Sequence, residues 1–313
     1  MFEAISLGSL TLDLFFQDDS LTIKNGRFFL ALGGKYVVER FSESMGGGGA
    51  NVAIGLSRAG IQTALWSQIG TEGLSLYIRT QLEAEGIHMS LMQEKPNFAN
   101  LSTILLSPKG ERTILTHRSS HIVLDLSQSR LDALKRAKMV FIGNLPESSL
   151  IEREKIAAVA RDAGASVAIN LGVKDCRRGA EVRPFLRHAT VLVLNRYELA
   201  DVLNIPANEL ALGAVNYQNK LELEPKCTLV ITDGEFGAYA QTNTDIFFQP
   251  AHKLSHVHDT TGAGDAFTSG FLSALYYGKQ PKEALVWGAK NSASVIVQFN
   301  AQSGLLRKED FTS

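Results

Sequence analysis

Cysteine is nearly absent: the 313 residues hold two, Cys176 and Cys227. They form no C-x-x-C pair and have no histidine cluster beside them, which excludes a disulfide scaffold and a structural zinc site. Two reduced thiols in a cytoplasmic protein are expected. Excess charge is also missing, with Lys+Arg 31 against Asp+Glu 32 and a formal net charge of −1. A nucleic-acid or membrane-surface partner would show as a basic patch or tail, and the sequence has neither. No apolar run approaches the roughly 18 residues of a membrane span. The opening stretch is apolar but carries Glu3 and Asp13 and lacks a leading basic region, so it reads as a first buried strand, not a secretory leader. Internal repeats and low-complexity segments are absent apart from the run Gly46-Gly47-Gly48-Gly49.

What is present is ordinary soluble-protein composition, 45% hydrophobic and 20% charged, in a chain long enough for one elaborated α/β domain or two modest ones. Short apolar runs alternate with longer helical patterns, the signature of a parallel α/β sheet. Strands are expected at Ala4–Leu7, Thr63–Ile69, Met139–Ile142, Ser166–Asn170, Val191–Leu194 and Thr228–Thr232. Helices are expected from Ala50 to Ala59, at Leu74–Ala84, Ser149–Ala163, Tyr197–Leu203, Ala263–Tyr277 and Lys282–Phe299. Two stretches break the rhythm. Asn25-Gly26 sits between apolar runs and both residues tolerate positive φ, which marks a hairpin. Pro108-Lys109-Gly110 separates two Thr/Ile/Leu-rich runs and marks another. Both lie in insertions, at about 14–44 and 93–118 of one domain spanning 1–313, and are expected to build a small β-sheet lid.

The segment Asp259-Thr260-Thr261-Gly262-Ala263-Gly264-Asp265-Ala266-Phe267 carries the chemistry. It precedes an apolar helical pattern of Phe267, Phe271, Leu272 and Leu275. A helix start exposes unpaired N–H groups and partial positive charge. Glycines let those groups approach an anion closely. An Asp in the first turn would stand beside that anion, ionised, able to orient a hydroxyl and take its proton. This suits phosphoryl transfer. A capped helix start with a dipole-favoured Asp is the plainer alternative.

The nine-residue string resembles the C-terminal signature of the ribokinase-like (PfkB) sugar and nucleoside kinases. Gly46-Gly47-Gly48-Gly49-Ala50-Asn51-Val52-Ala53, followed by Arg58-Ala59-Gly60, resembles the family's other signature, and shorter matches occur in family order across nearly the whole chain. The resemblance implies a three-layer α/β sandwich with a central, mostly parallel sheet and a β-lid, ATP as phosphoryl donor, Mg²⁺, and a sugar or nucleoside acceptor. It implies Asp265 as base and the backbone of Gly262, Ala263 and Gly264 as the anion hole. Asp13, Gly47 and Asn51 would bind acceptor hydroxyls, with further lid contacts from Asn97, Asn100 and Ser102. Asn195 and Glu198 would place Mg²⁺ and phosphate through water. Thr232, Gly234 and Gly237 would line the nucleotide pocket and Asn291 would lie near the adenine. Asp259 and Thr261 match positions that bind a monovalent cation in many members, so potassium activation is expected.

Alternatives stand beside several of these. Asn195-x-x-Glu198 is also a helix capping box, Thr232 to Gly237 a turn after a strand, Asn291 an exposed helix polar residue, and Asp13 a strand-end turn residue. Gly48 replaces a Lys of ribokinases proper and Thr11 a common Asn. Asn170-Leu171-Gly172 lacks the proline of the family's turn, and its acidic acceptor residue has no clear counterpart near Glu147. A nucleoside acceptor would need an apolar slot, for which Phe16, Phe41 and Phe98 are candidates. A non-catalytic ligand-binding relative is the rival of another class. The glycine run does not give the dinucleotide G-x-G-x-x-G, and Gly34-Lys35-Tyr36 is no phosphate-binding loop of the G-K-[ST] kind. Exposed lid edges predict a homodimer through the lid.

Overall fold

The computed structural model describes residues 2–71, 73–107, 111–119, 123–145 and 148–312. Strands β1 (Ala4–Leu7), β2 (Thr11–Gln17), β3 (Arg40–Gly46), β4 (Thr63–Trp66), β5 (Asn100–Leu106), β6 (Arg112–Arg118), β7 (Met139–Ile142), β8 (Ser166–Asn170), β9 (Val191–Asn195), β10 (Thr228–Thr232), β11 (Ala238–Gln241) and β12 (Ile246–Gln249) build two sheets. The larger has the order β12-β11-β10-β9-β8-β7-β1-β4. It is parallel from β4 to β10 and antiparallel at β11 and β12.

Helices α1 (Gly48–Arg58), α2 (Leu74–Ala84), α3 (Gln128–Arg136), α4 (Leu150–Asp162), α5 (Arg196–Leu203), α6 (Ala263–Tyr276) and α7 (Pro281–Ile296) surround it. Side chains of a strand alternate between faces, and the two cores follow that alternation. Ile5, Leu7, Val140, Ile142, Val167 and Ile169 pack with Leu134, Ile156 and Leu199 of α3, α4 and α5. Ala4, Met139, Phe141, Ala168 and Val230 pack with Val52, Phe271 and Leu285 of α1, α6 and α7. This is the three-layer sandwich. Each fully buried side chain of this kind contributes about 1.5–3 kcal/mol.

The smaller sheet has the order β6-β5-β2-β3. The apolar opening stretch is therefore two strands, not one. The break falls at Gly8-Ser9-Leu10, where the chain crosses α1 in backbone contact. A Cβ on Gly8 would stand 2.6 Å from Gly49 Cα, and one on Gly49 would stand 2.5 Å from Gly8 Cα. The Asn25-Gly26 hairpin forms, with φ of 51° and 68°, but joins only Ile23–Lys24 to Arg27–Phe28 and stands apart from the smaller sheet. Its flanks, β2 and β3, are the sheet strands. The second hairpin pairs β5 with β6 as expected; its turn, Pro108 to Gly110, lies outside the described residues. The expected strand Thr63–Ile69 splits, with Gln68–Ile69 pairing instead with Gln93–Glu94.

Candidate active site

Register places the cleft face of the smaller sheet in rows. Thr11 and Asp13 of β2 stand beside Asn100 and Ser102 of β5 and Arg118 and Thr116 of β6. The next row is apolar, with Phe15, Ile104 and Ile114. These side chains and the loop before α6 enclose a cavity of about 710 Å³. It brings together Asp13, Gly47, Asn51, Asp259, Thr261, Gly262 and Asp265. Ligands of open α/β sheets bind beyond the carboxyl ends of the strands, and the cavity opens there.

Asp265 lies in the first turn of α6, whose N-cap Gly262 has a φ of 78°. A Cβ at Gly262 would stand 2.4 Å from Ala301 Cβ, so both backbone hand and space require glycine there. No side chain caps this helix. The Ala263 amide donates to Thr260 O at 3.2 Å, which leaves the amides of Gly264 and Asp265 as open donors. Around Gly264 a Cβ would meet nothing within 4 Å. An anion can therefore approach the helix start from the cleft.

Asn51 Nδ2 donates to Asp265 Oδ2 at 2.8 Å. Asn51 is 4% exposed and lines the cavity. Desolvation pushes the Asp265 carboxyl up from its ordinary range, against the opposing pull of the Asn51 bond. Gly48 keeps the carboxylate accessible: a Cβ there would approach Asp265 Oδ1 to 3.2 Å. Asp13 is likewise raised by burial, opposed by the hydroxyls of Ser102 and Thr11. Gly46 makes room for it, since a Cβ would stand 2.3 Å from Asp13 Oδ2. Gly47 has a φ of 93°, and a Cβ there would meet Ser9 O at 2.5 Å. Ser9 was not singled out from the sequence, yet it satisfies the start of α1. Its Oγ accepts from Gly48 N at 3.1 Å, and its carbonyl accepts from Ala50 N at 3.2 Å.

Asn195 and Glu198 form the capping box in full. Asn195 Oδ1 accepts from Glu198 N at 2.9 Å, and Glu198 Oε2 accepts from Asn195 N at 2.8 Å. Burial first, then the charges of Asp265 and Asp201, push the Glu198 carboxyl up to about 7, despite the Asn195 amide. The capping alternative is thus realised, and the charge of Asp265 is felt at Glu198. Asn195 pairs in register with Thr232. The Thr232 to Gly237 turn is braced by Arg196, which forks onto Asp233 with both bonds at 2.6 Å. Thr232, Gly234, Gly237, Asn195 and Glu198 lie outside the cavity lining.

Asn291 is 1% exposed. Its Nδ2 donates to Ala266 O at 2.7 Å and Ser269 Oγ at 3.1 Å, and its Oδ1 accepts from Leu306 N at 2.8 Å. That amide clamps α6, α7 and the following loop, so Asn291 is a buried residue and not an exposed helix polar one. Asp259 Oδ1 accepts from Thr261 N at 2.9 Å, from Thr261 Oγ1 at 2.8 Å and from the Arg112 guanidinium of β6. Burial pushes this carboxyl up, but the Thr261 and Arg112 contacts outweigh it and hold it below the usual range. Phe16 and Phe41 pair with ring centroids 5.2 Å apart on the outer face of the smaller sheet, and Phe98 is buried in the core. None of these three lines the cavity; Phe15 and Phe299 do, 5.9 Å apart. Asn100 and Ser102 line it and Asn97 does not. Glu147 lies outside the described residues.

The match to the family model described as pfkB family carbohydrate kinase covers residues 1–308. A 5-dehydro-2-deoxygluconokinase from Shouchella clausii is 26% identical over 318 residues, 96% of this chain and 91% of that protein. The protein named "Probable fructokinase-6, chloroplastic" from Arabidopsis thaliana is 28% identical over 246 residues, 75% of this chain and 63% of that protein, so the chain spans under two thirds of this relative. The solved structure of Arabidopsis thaliana ribokinase complexed with ribose and ATP superposes with a TM-score of 0.83 at 19% identity, covering 99% of this chain and 97% of that one. Sheet order, the two glycine signatures and a family match along nearly the whole length agree: the chain belongs to the pfkB family of carbohydrate kinases.

Proposed function

We propose that this kinase transfers the γ-phosphoryl group of ATP to a hydroxyl of a small sugar or sugar derivative, with Asp265 as the base. The observation that carries the reading is the placement of Asp265. Its carboxylate is oriented by Asn51, stands at an uncapped helix start, and lines a cleft whose opposite wall is the polar row of Asp13, Ser102 and Thr116. A hydroxyl bound to Asp13 and the backbone at Gly47 would reach Asp265. The base takes its proton as the oxygen bonds to phosphorus and the bond to ADP breaks. The helix-start amides of Gly264 and Asp265, with Gly262 shaping the turn, hold the charge of the moving group.

The residues fit a hydrated Mg²⁺. Glu198 is a carboxylate pushed up by burial, and one of its oxygens has no partner among the described residues. Mg²⁺ would neutralise phosphate charge there and keeps several waters. Thr232, Gly234 and Gly237 belong to the same reading as the nucleotide-side turn. Potassium fits less well, because Asp259 Oδ1 already accepts from three donors, one of them a guanidinium. The smaller sheet serves as the lid in this account, carrying acceptor contacts and excluding water. Its outer face exposes Phe41 and Leu115, which supports pairing of two copies there; a monomer by light scattering would remove that part. Two unbridged cysteines suit a cytoplasmic setting.

A nucleoside acceptor is the second reading, favoured by the apolar row of Phe15, Ile104 and Ile114 with Phe299. A screen coupled to ADP release, run over ribose, fructose, keto-deoxy sugar acids, inosine and adenosine, tests both. Turnover of a sugar and no nucleoside is expected. Turnover of a nucleoside alone would replace the first reading with the second, and no turnover of any polyol would leave a binding protein.

A further inference from the structure

Asn51 stands between two side chains. Its Nδ2 donates to Asp265 Oδ2 at 2.8 Å, and its Oδ1 accepts from Gln302 Nε2 at 2.9 Å. An ionised carboxylate offers acceptors only, so the first bond fixes which end of the Asn51 amide faces Asp265. The second bond matches that choice. Turning the amide over would set oxygen against the Asp265 oxygen, and NH₂ against the Gln302 NH₂ unless that amide turned with it. Gln302 is 8% exposed and its backbone is tied at both ends. Its N–H donates to Asn300 Oδ1 at 3.0 Å and its carbonyl accepts from Arg58 Nη1 at 2.6 Å. Arg58 is in turn forked onto Glu85 at 2.9 and 2.6 Å.

We propose that Gln302 is a positioning residue for phosphoryl transfer: it holds the Asn51 amide in the orientation that donates to the Asp265 carboxylate and keeps it aimed into the cleft. Of the other carboxylates, Glu198 of α5 feels the charge of Asp265, Asp13 lies across the cleft on β2, and Asp259 is engaged by Arg112. Among the described residues no side chain but Asn51 hydrogen-bonds to the carboxylate. The amide is therefore the group whose orientation decides how easily this carboxyl holds its charge. The assignment of Asp265 as base rests on the function proposed above; the orientation claim is tested without turnover.

The test labels Asp side-chain carboxyls with ¹³C and follows the Asp265 resonance through pH, assigned by its loss in Asp265→Asn. Gln302→Met keeps length and removes the donor. It is expected to raise the Asp265 midpoint by about half a pH unit or more, and to leave it unmoved when Asn51→Ala has already cut the relay. An unchanged midpoint with Asn51 in place overturns the proposal, and so does an equal rise in the Asn51→Ala background. Should Gln302→Met fail to fold, Gln302→Glu decides by the same cycle: its rise must be larger with Asn51 present than without it. With an acceptor from the screen, the acid limb of kcat/KM moves with the midpoint. In that assay kcat/KM on the acid limb falls about threefold, the half-unit rise expressed as a rate, while the KM for ATP stays within about twofold. A merely structural Gln302 would lower the melting temperature and leave both pH readouts in place, which also overturns the proposal. A screen without an acceptor counts against the proposed function alone, because the titration needs no substrate.

Discussion

Asn51 Nδ2 and Asp265 Oδ2 lie 2.8 Å apart although 214 residues separate them in the chain. The bond joins α1, at the edge of the glycine run, to α6, at the end of the other signature. Two segments that look like independent motifs in the sequence are one site.

Asp265→Asn keeps the size and hydrogen bonding of the side chain and removes the base. The proposed mechanism predicts a fall in kcat of roughly 10³-fold, the scale of general-base catalysis, with ATP and acceptor affinity retained by calorimetry. Near-normal turnover would remove Asp265 from the chemistry.

Burial holds the Asp265 carboxyl above its ordinary range, and the sign of the pH effect follows. The acid limb of kcat/KM should lie above the usual carboxylate range, because the base is lost as pH falls through the raised value. Stability runs the other way. Above the folded-state value the charge is present in both states and its desolvation opposes folding. As pH falls through that value the folded protein takes up the proton first, and below the unfolded value the relief is complete. Asp265→Asn should therefore melt higher than the parent at pH 8, by roughly 2 °C or more, with the gap closing in acid. A lower melting temperature at pH 8 would contradict the burial argument.

Gly46→Ala would place a methyl group 2.3 Å from Asp13 Oδ2. The carboxylate can swing aside, so the cost falls on acceptor binding more than on stability. A rise in acceptor KM of about tenfold, the loss of one hydrogen bond to a charged group, is expected with the ATP KM unchanged. Equal changes in both constants would show that the sheet, not the side chain, had moved.

Asp259 is already held by Arg112 and Thr261, so equal rates are expected in potassium chloride and in tetramethylammonium chloride. Arg112→Gln should slow turnover in both by a few-fold, since the guanidinium crosses from the smaller sheet to the loop before α6. As a partly exposed pair it should alter stability by no more than about 1 kcal/mol. Strong activation of the parent by potassium would show that the ion displaces Arg112.

The large sheet was legible because its strands are continuous apolar runs, each buried on both faces; β1, β7, β8 and β10 begin and end where the runs do. The smaller sheet was half legible. One face meets water or substrate, so β2 and β3 mix polar and apolar residues, and the strong Asn25-Gly26 turn drew attention to the wrong pair of flanks. Strand β12 is partly exposed and β11, though largely buried, is four residues of which one is a buried glutamine, so neither gives a continuous apolar run. The signatures announced Asp265 and Asn51, but Gln302 and Ser9 make their hydrogen bonds across long chain separations, which no local spacing records. Asn291 shows the converse: a polar residue at a family position whose amide is fully spent on packing.

The chain passes from the larger sheet to the smaller through Gly8 to Leu10, and from the smaller sheet into α1 through Gly47. Asp13 and Thr11 travel with the smaller sheet, whereas Asp265 is anchored to the larger. An opening of the proposed lid would draw Asp13 away from Asp265 while Gly47 stays with α1. A gaping cleft would then hold a nucleotide over a carboxylate with nothing beneath it, and stray water would find no place prepared for attack. Thrift with ATP would follow from where the chain happens to cross between sheets.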